Sequence, residues 1–161
     1  MKVSDYFAEL FVAGRLADSG WNVYFPHRDQ GFDFIITKRI LSGDLLIRPV
    51  QVKGKYPTDE KGDHAVYGYV GKLELHPEMV LAIPFFSNGG DQIPTFTAYM
   101  PAKTIKVHPR GYRCQPSRFR DGMPQIRGDH RIFFDEEGIK NIESQFFRDL
   151  EIRAANRRRG A

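Results

Sequence analysis

The residues best suited to chemistry lie in the first third of the chain. Gln51, Val52 and Lys53 end an apolar run over 45–54, Asp33 sits in a second apolar stretch over 31–37, and Glu9 lies in an N-terminal amphipathic segment. A carboxylate, a polar oxygen and a lysine converging at strand ends can hold a divalent cation and a phosphate together, which metal-dependent phosphodiester hydrolysis requires. Asp33 is the natural ligand for Mg²⁺ or Mn²⁺; Gln51 offers a neutral amide oxygen, Val52 its backbone carbonyl, and Glu9 contributes directly or through water. Lys53 can orient the attacking water, favour its hydroxide form and meet a non-bridging phosphate oxygen.

Those residues must be placed by local elements. Ser4 can cap a helix whose apolar residues Tyr6, Phe7, Leu10, Phe11, Gly14 and Ala17 recur at spacings of three and four, with Gly20 ending it. Residues 21–25 are β-prone, Asp29 to Gly31 form a turn, and 32–40 read as a strand. Residues 41–44 read as a hairpin loop and 45–55 as the next strand, where Pro49 implies an edge, a bulge or a position whose N–H the ladder does not need. Further strands are expected over 80–86 and 95–100, with a short helix within 63–75. Residues 101–131, broken by Pro109, Gly111, Pro116, Gly122, Pro124 and Gly128, read as loop and short turns. A final helix from about Asp135 keeps Ile139, Ile142, Phe146 and Leu150 on one face.

The hairpin carries a geometric test. Antiparallel partners have positions that add to a constant, and side chains two apart share a face. A loop of Ser42-Gly43-Asp44 sets Asp33 opposite Lys53, and one of Leu41-Ser42-Gly43 sets Asp33 opposite Gln51; either puts Asp33, Gln51 and Lys53 on one face. A two-residue Ser42-Gly43 loop sets Asp33 opposite Val52 and turns the acid to the other face. An odd loop is therefore expected.

With 161 residues, 41% hydrophobic and 27% charged, the chain is long enough for one domain with its own core, and neither a wholly disordered chain nor a membrane protein. We expect a domain over 1–156 and a basic, disordered tail over 157–161. The single cysteine, Cys114, excludes an intramolecular disulfide and suits a reducing compartment. With no secretory signal and no apolar segment of bilayer length, cytoplasmic residence without membrane contact is the expectation. A net charge of +4 favours polyanionic partners.

The order of Glu9 in a helix, Asp33 in a strand and Gln51-Val52-Lys53 in the next strand resembles the PD-(D/E)XK (restriction-endonuclease-like) nuclease superfamily, which includes restriction endonucleases and archaeal Holliday junction resolvases. The segments Pro26-His27-Arg28-Asp29-Gln30-Gly31-Phe32-Asp33 and Pro49-Val50-Gln51-Val52-Lys53-Gly54 are similar to a bacterial branch with a Gln-x-Lys variant of the motif. The resemblance implies an α/β fold, a mixed β-sheet flanked by helices, and a Mg²⁺- or Mn²⁺-dependent nuclease acting on nucleic acid, DNA in preference to RNA. Asp33 would be the metal-binding acid, Gln51 the stand-in for the second acid, Lys53 the catalytic lysine and Glu9 the helical acid; a homodimer would follow by analogy. Phe32 stands where the name-giving proline would be, and the neutral Gln51 removes one negative charge from the site, which weakens its hold on a metal.

A second candidate feature is the stretch from Lys103 to Arg131, with eight basic residues against Asp121 and Asp129. Arg110, Arg113, Arg118 and Arg120 can meet phosphates while Tyr112 stacks on a base. His64, His76, His108 and His130 lack metal-ligand spacing. Two other readings use the same fold: a nucleic-acid-binding module whose catalytic site has decayed, and an interaction subunit of a defence or repair assembly.

Overall fold

The computed structural model describes residues 3–28, 31–57, 66–68, 76–87, 93–109 and 111–152. Helix α1 (Val3–Asp18) opens the chain, so Ser4 lies inside its first turn rather than at the cap. It ends in a Schellman motif: Gly20, at φ 92°, donates its N–H to the Ala17 carbonyl (3.0 Å), and Trp21 donates to that of Leu16 (3.1 Å). The buried face is not the one expected. Ala8, Val12, Ala13 and Leu16 are buried, whereas Tyr6, Phe7, Leu10, Gly14 and Ala17 face outward and only Phe11 of that stripe packs against the core. Close approach explains the choice, because a Cβ on Gly54 would lie 3.3 Å from that of Ala8. Small Ala8 followed by β-branched Val12 at i+4 lets the helix sit on the strand end where Phe7 would hold it off.

The strands are β1 (Asn22–Tyr24), β2 (Phe34–Arg39), β3 (Leu45–Val52), β4 (Val66–Gly68), β5 (Val80–Phe85), β6 (Phe96–Pro101), β7 (Lys106–His108), β8 (Gly111–Cys114), β9 (Ser117–Arg120) and β10 (Met123–Ile126). A mixed five-stranded sheet runs β1-β2-β3-β5-β6, with β3 and β5 parallel and the other neighbours antiparallel. The chain is thus a single α/β domain. Pro49 sits inside this sheet because β3 begins to pair with β5 only at Val50, so the N–H it lacks faces a position the ladder has not reached.

Alternation divides the core into two layers. Phe34, Ile36, Val50, Val52, Val80 and Ala82 pack with α1 and with Ile139, Ile142 and Phe147. Leu81, Ile83, Phe85 and Met100 pack on the opposite face with Ile105, Cys114, Phe133 and Phe134. β5 serves both layers and is buried at every position, as expected of a strand covered on two sides.

Helix α2 (Asp135–Ile142) begins where expected and stops early. Buried Arg48 of β3 donates from Nε to the Ile142 carbonyl (3.2 Å) and from Nη2 to that of Ser144 (2.7 Å), pairs with Glu78, and lies over the Phe147 ring. A longer helix would bond those carbonyls to the N–H groups of Phe146 and Arg148. Phe146 instead points to solvent, and a 3₁₀ turn (Phe147–Asp149) carries Phe147 into the core.

The two remaining sheets correct the expectation of loops over 101–131. β4, β8 and β7 form a three-stranded sheet, and β9 and β10 a hairpin. The hairpin turns on Asp121 and Gly122, at φ 51° and 76°, the left-handed pair that a two-residue type I′ turn needs. Where a helix was expected within 63–75, Val66–Gly68 form strand β4; the rest of that segment, Asp29 and the tail over 157–161 lie outside the described residues. Among the described residues no helix is long and apolar enough to cross a membrane.

Candidate active site

The site is built by the β2–β3 hairpin. Ile40 donates its N–H to the Asp44 carbonyl (3.0 Å) and Gly43 donates to that of Ile40 (2.9 Å), closing a loop of Leu41, Ser42 and Gly43. Gly43 takes φ 90°, the left-handed conformation that ends a three-residue hairpin loop and favours glycine. The loop is odd, as anticipated, and the ladder runs from Arg39 opposite Leu45 to Phe34 opposite Val50, with partner positions adding to 84; Asp33 lies one residue beyond its last rung.

The ladder frays at Asp33 in a specific way. Asp33 donates its N–H to the Val50 carbonyl (2.9 Å), and its Oδ2 accepts the Val52 N–H at 2.6 Å. The carboxylate thus takes the acceptor place that the Phe32 carbonyl would fill in a regular antiparallel ladder. The Val52 carbonyl, on the same edge of β3 as its N–H, points toward β2 beyond the last regular rung.

Because Val50 and Val52 face the α1 layer, Gln51 between them faces the other side of the sheet. Lys53 follows onto that side, since the parallel ladder with β5 continues past it: Lys53 donates to the Ala82 carbonyl, and Lys55 to that of Pro84, each at 2.9 Å. Gln51 and Lys53 therefore share one face at the end of β3, and the Asp33 carboxylate reaches that end at the Val52 N–H. Glu9 does not share it. Its helix covers the opposite face, and its neighbour Ala8 abuts Gly54, one residue past Lys53. Glu9, Asp33 and Gln51 are each engaged by neighbouring groups.

A hard divalent cation with most of its waters retained needs few protein oxygens. Asp33, the Gln51 amide and the Val52 carbonyl are of the right type, and Glu9 is the further carboxylate. Among the described residues no group of three or more His, Cys, Asp and Glu converges, so any metal here would rest on the amide and carbonyl oxygens as well as on Asp33.

The basic stretch is dispersed over separate elements. Arg113 lies on β8, Arg118 and Arg120 on β9, all three exposed. Tyr112 is in β8, where only the backbone is described, and Arg110 lies outside the described residues. The sequence reading missed Asp129 and His130. His130 is buried, and its Nδ1 lies 2.6 Å from the Asp129 carboxylate. Burial opposes ionisation of Asp129, but the His130 hydrogen bond and charge, a backbone N–H and nearby Arg127 together hold its carboxyl below the ordinary value. An Asp-His dipeptide has no spacing signal, so only the fold exposes the pair. No family model, no curated protein and no solved structure matches this chain.

Proposed function

We propose that this protein is a metal-dependent nuclease of restriction-endonuclease-like fold that hydrolyses phosphodiester bonds, in DNA in preference to RNA. The observation that supports this most is the Asp33 carboxylate accepting the Val52 N–H, which brings it to the end of β3 where Gln51 and Lys53 stand on either side of Val52. The mixed sheet with α1 against the end of β3 is the framework that such a motif uses.

In this reading Asp33, Gln51 and the Val52 carbonyl hold Mg²⁺ or Mn²⁺, with Glu9 at the rim. The ion would lower the pKa of a bound water and neutralise phosphate charge. Lys53, an ammonium at the strand end, positions the water and meets a non-bridging oxygen. Exposed Arg120 and the net positive charge of the chain attract the phosphate backbone, so affinity falls as salt rises. Two copies would be needed to cut both strands at once, and light scattering of the purified protein tests that.

A second reading, a binding module without catalysis, draws on the neutral Gln51 and the sparse carboxylates around Asp33. The deciding experiment incubates the protein with single-stranded, duplex and branched DNA and RNA, with Mg²⁺, Mn²⁺ or chelator, beside Asp33→Asn and Lys53→Ala. Metal-dependent cleavage lost in both variants supports the nuclease. Salt-sensitive binding with no cleavage, unchanged by either substitution, supports the binding module.

A further inference from the structure

Beyond the end of β6 the chain builds a cavity of about 620 Å³ whose walls come from the 3₁₀ turn Ala102–Thr104, β7, β8, β9 and the 3₁₀ segment Gly128–Phe133. Lys103, Lys106, Arg113, Arg118, Arg127 and buried His130 line it. It lies on the same side of the sheet as Gln51, the ladder partner of Leu81, since Cys114 in its wall packs in the layer of Leu81 and Met100.

Three features separate it from an ordinary solvated basic face. Lys106 and Arg113 are direct cross-strand partners, a placement in which like charges repel. Lys106, Arg113 and Arg118 have no ion-pair partner among the described residues, whereas Arg127 lies near Asp129 and Lys103 reaches Asp149 at 3.2 Å and Glu151 at 4.0 Å. The two lining carboxylates are engaged elsewhere, Asp129 by His130 and Glu151 by Lys103. The result is a concave site of small-molecule size with uncompensated positive charge converging from several segments.

We infer that this cavity binds a phosphomonoester: a compact dianion whose oxygens accept charge-assisted hydrogen bonds from Lys106, Arg113, Arg118 and Arg127 and relieve the Lys106–Arg113 repulsion. A backbone phosphodiester carries one charge and enters a concave pocket poorly, whereas a terminal or free phosphate group carries nearly two and fits within it. The site is independent of Asp33 and needs no metal.

Calorimetric titration in the presence of chelator tests this with inorganic phosphate, AMP, glucose 6-phosphate and adenosine as probes. The proposal expects binding of the phosphorylated probes and none of adenosine. AMP against glucose 6-phosphate identifies the body attached to the phosphate. Lys106→Ala with Arg113→Ala weakens binding about tenfold or more, as expected for losing charge-assisted hydrogen bonds, while Arg120→Ala, outside the cavity lining, does not. Arg113→Gln alone raises the melting temperature in phosphate-free buffer by relieving Lys106, and the order reverses at saturating phosphate. Equal binding by adenosine, binding indifferent to the double substitution, or competition by an oligonucleotide without a terminal phosphate as strong as by AMP overturns the proposal. All arms run equally in Asp33→Asn, so loss of cleavage in that variant leaves the result intact.

Discussion

The hydrogen bond that Asp33 accepts and the metal-binding role proposed for it can be told apart by a pair of substitutions. The Asp33 Oδ2 accepts the N–H of Val52, a residue only 7% exposed. Asp33→Ala leaves that buried N–H without its acceptor at a cost of about 1–3 kcal/mol. For a chain of this size each kcal/mol shifts the melting temperature by about 2–4 °C, so the drop should be about 2–12 °C. Asp33→Asn keeps an oxygen at the same place and removes the charge, so it should stay within about 1 kcal/mol of the parent. Melting curves with and without Mg²⁺ or Mn²⁺ separate the effects: metal should raise the midpoint of the parent and not that of Asp33→Asn. Equal midpoints for the alanine and asparagine variants would refute the role given to the Val52 hydrogen bond. A metal-dependent rise retained in Asp33→Asn would refute Asp33 as the ligand.

Gly138→Ala should destabilise the protein by about 1–3 kcal/mol in urea titration although alanine is the better helix former by about 1 kcal/mol, because its Cβ would meet the Phe133 carbonyl oxygen at 2.2 Å. Arg48→Ala removes the guanidinium that binds Glu78 and the carbonyls after α2, and should cost about 3–5 kcal/mol by the same measurement. Burial raises the carboxyl pKa of Asp135 despite the Thr97 N–H it accepts, so folded Asp135 binds its proton more tightly than unfolded and stability falls as pH rises from the unfolded value to the folded one. Asp135→Asn, which preserves the acceptor and tolerates φ 52°, should therefore raise the melting temperature at pH 7 and leave it unchanged below both pKa values. Burial pushes the Cys114 thiol up to about 12, so iodoacetamide at pH 8 should label it only after unfolding.

What local pattern dictates was legible along the chain. Apolar runs rich in β-branched and aromatic residues marked β2, β3, β5 and β6, Gly20 marked the end of α1, and the odd loop of Leu41, Ser42 and Gly43 set the register of the β2–β3 ladder. Each depends on neighbours within one hairpin or one helical turn. The Asp121-Gly122 turn was equally local, and was passed over because prolines and glycines on either side suggested only loop.

Tertiary structure decided the rest. Phe7 and Leu10 are more apolar than Ala8, so hydrophobicity alone favoured the wrong face of α1; the close approach of Ala8 to Gly54 selected the other. The end of α2 is set by Arg48, ninety-odd positions away in sequence, which claims the carbonyls a longer helix would use. Lys103, Lys106, Arg113, Arg118 and Arg127 meet around one cavity because three hydrogen-bonded strand pairings fold that stretch back on itself. Periodicity reports which residues share an element's face. Which face is buried, and which distant cations converge, depends on contacts between elements that no local spacing encodes.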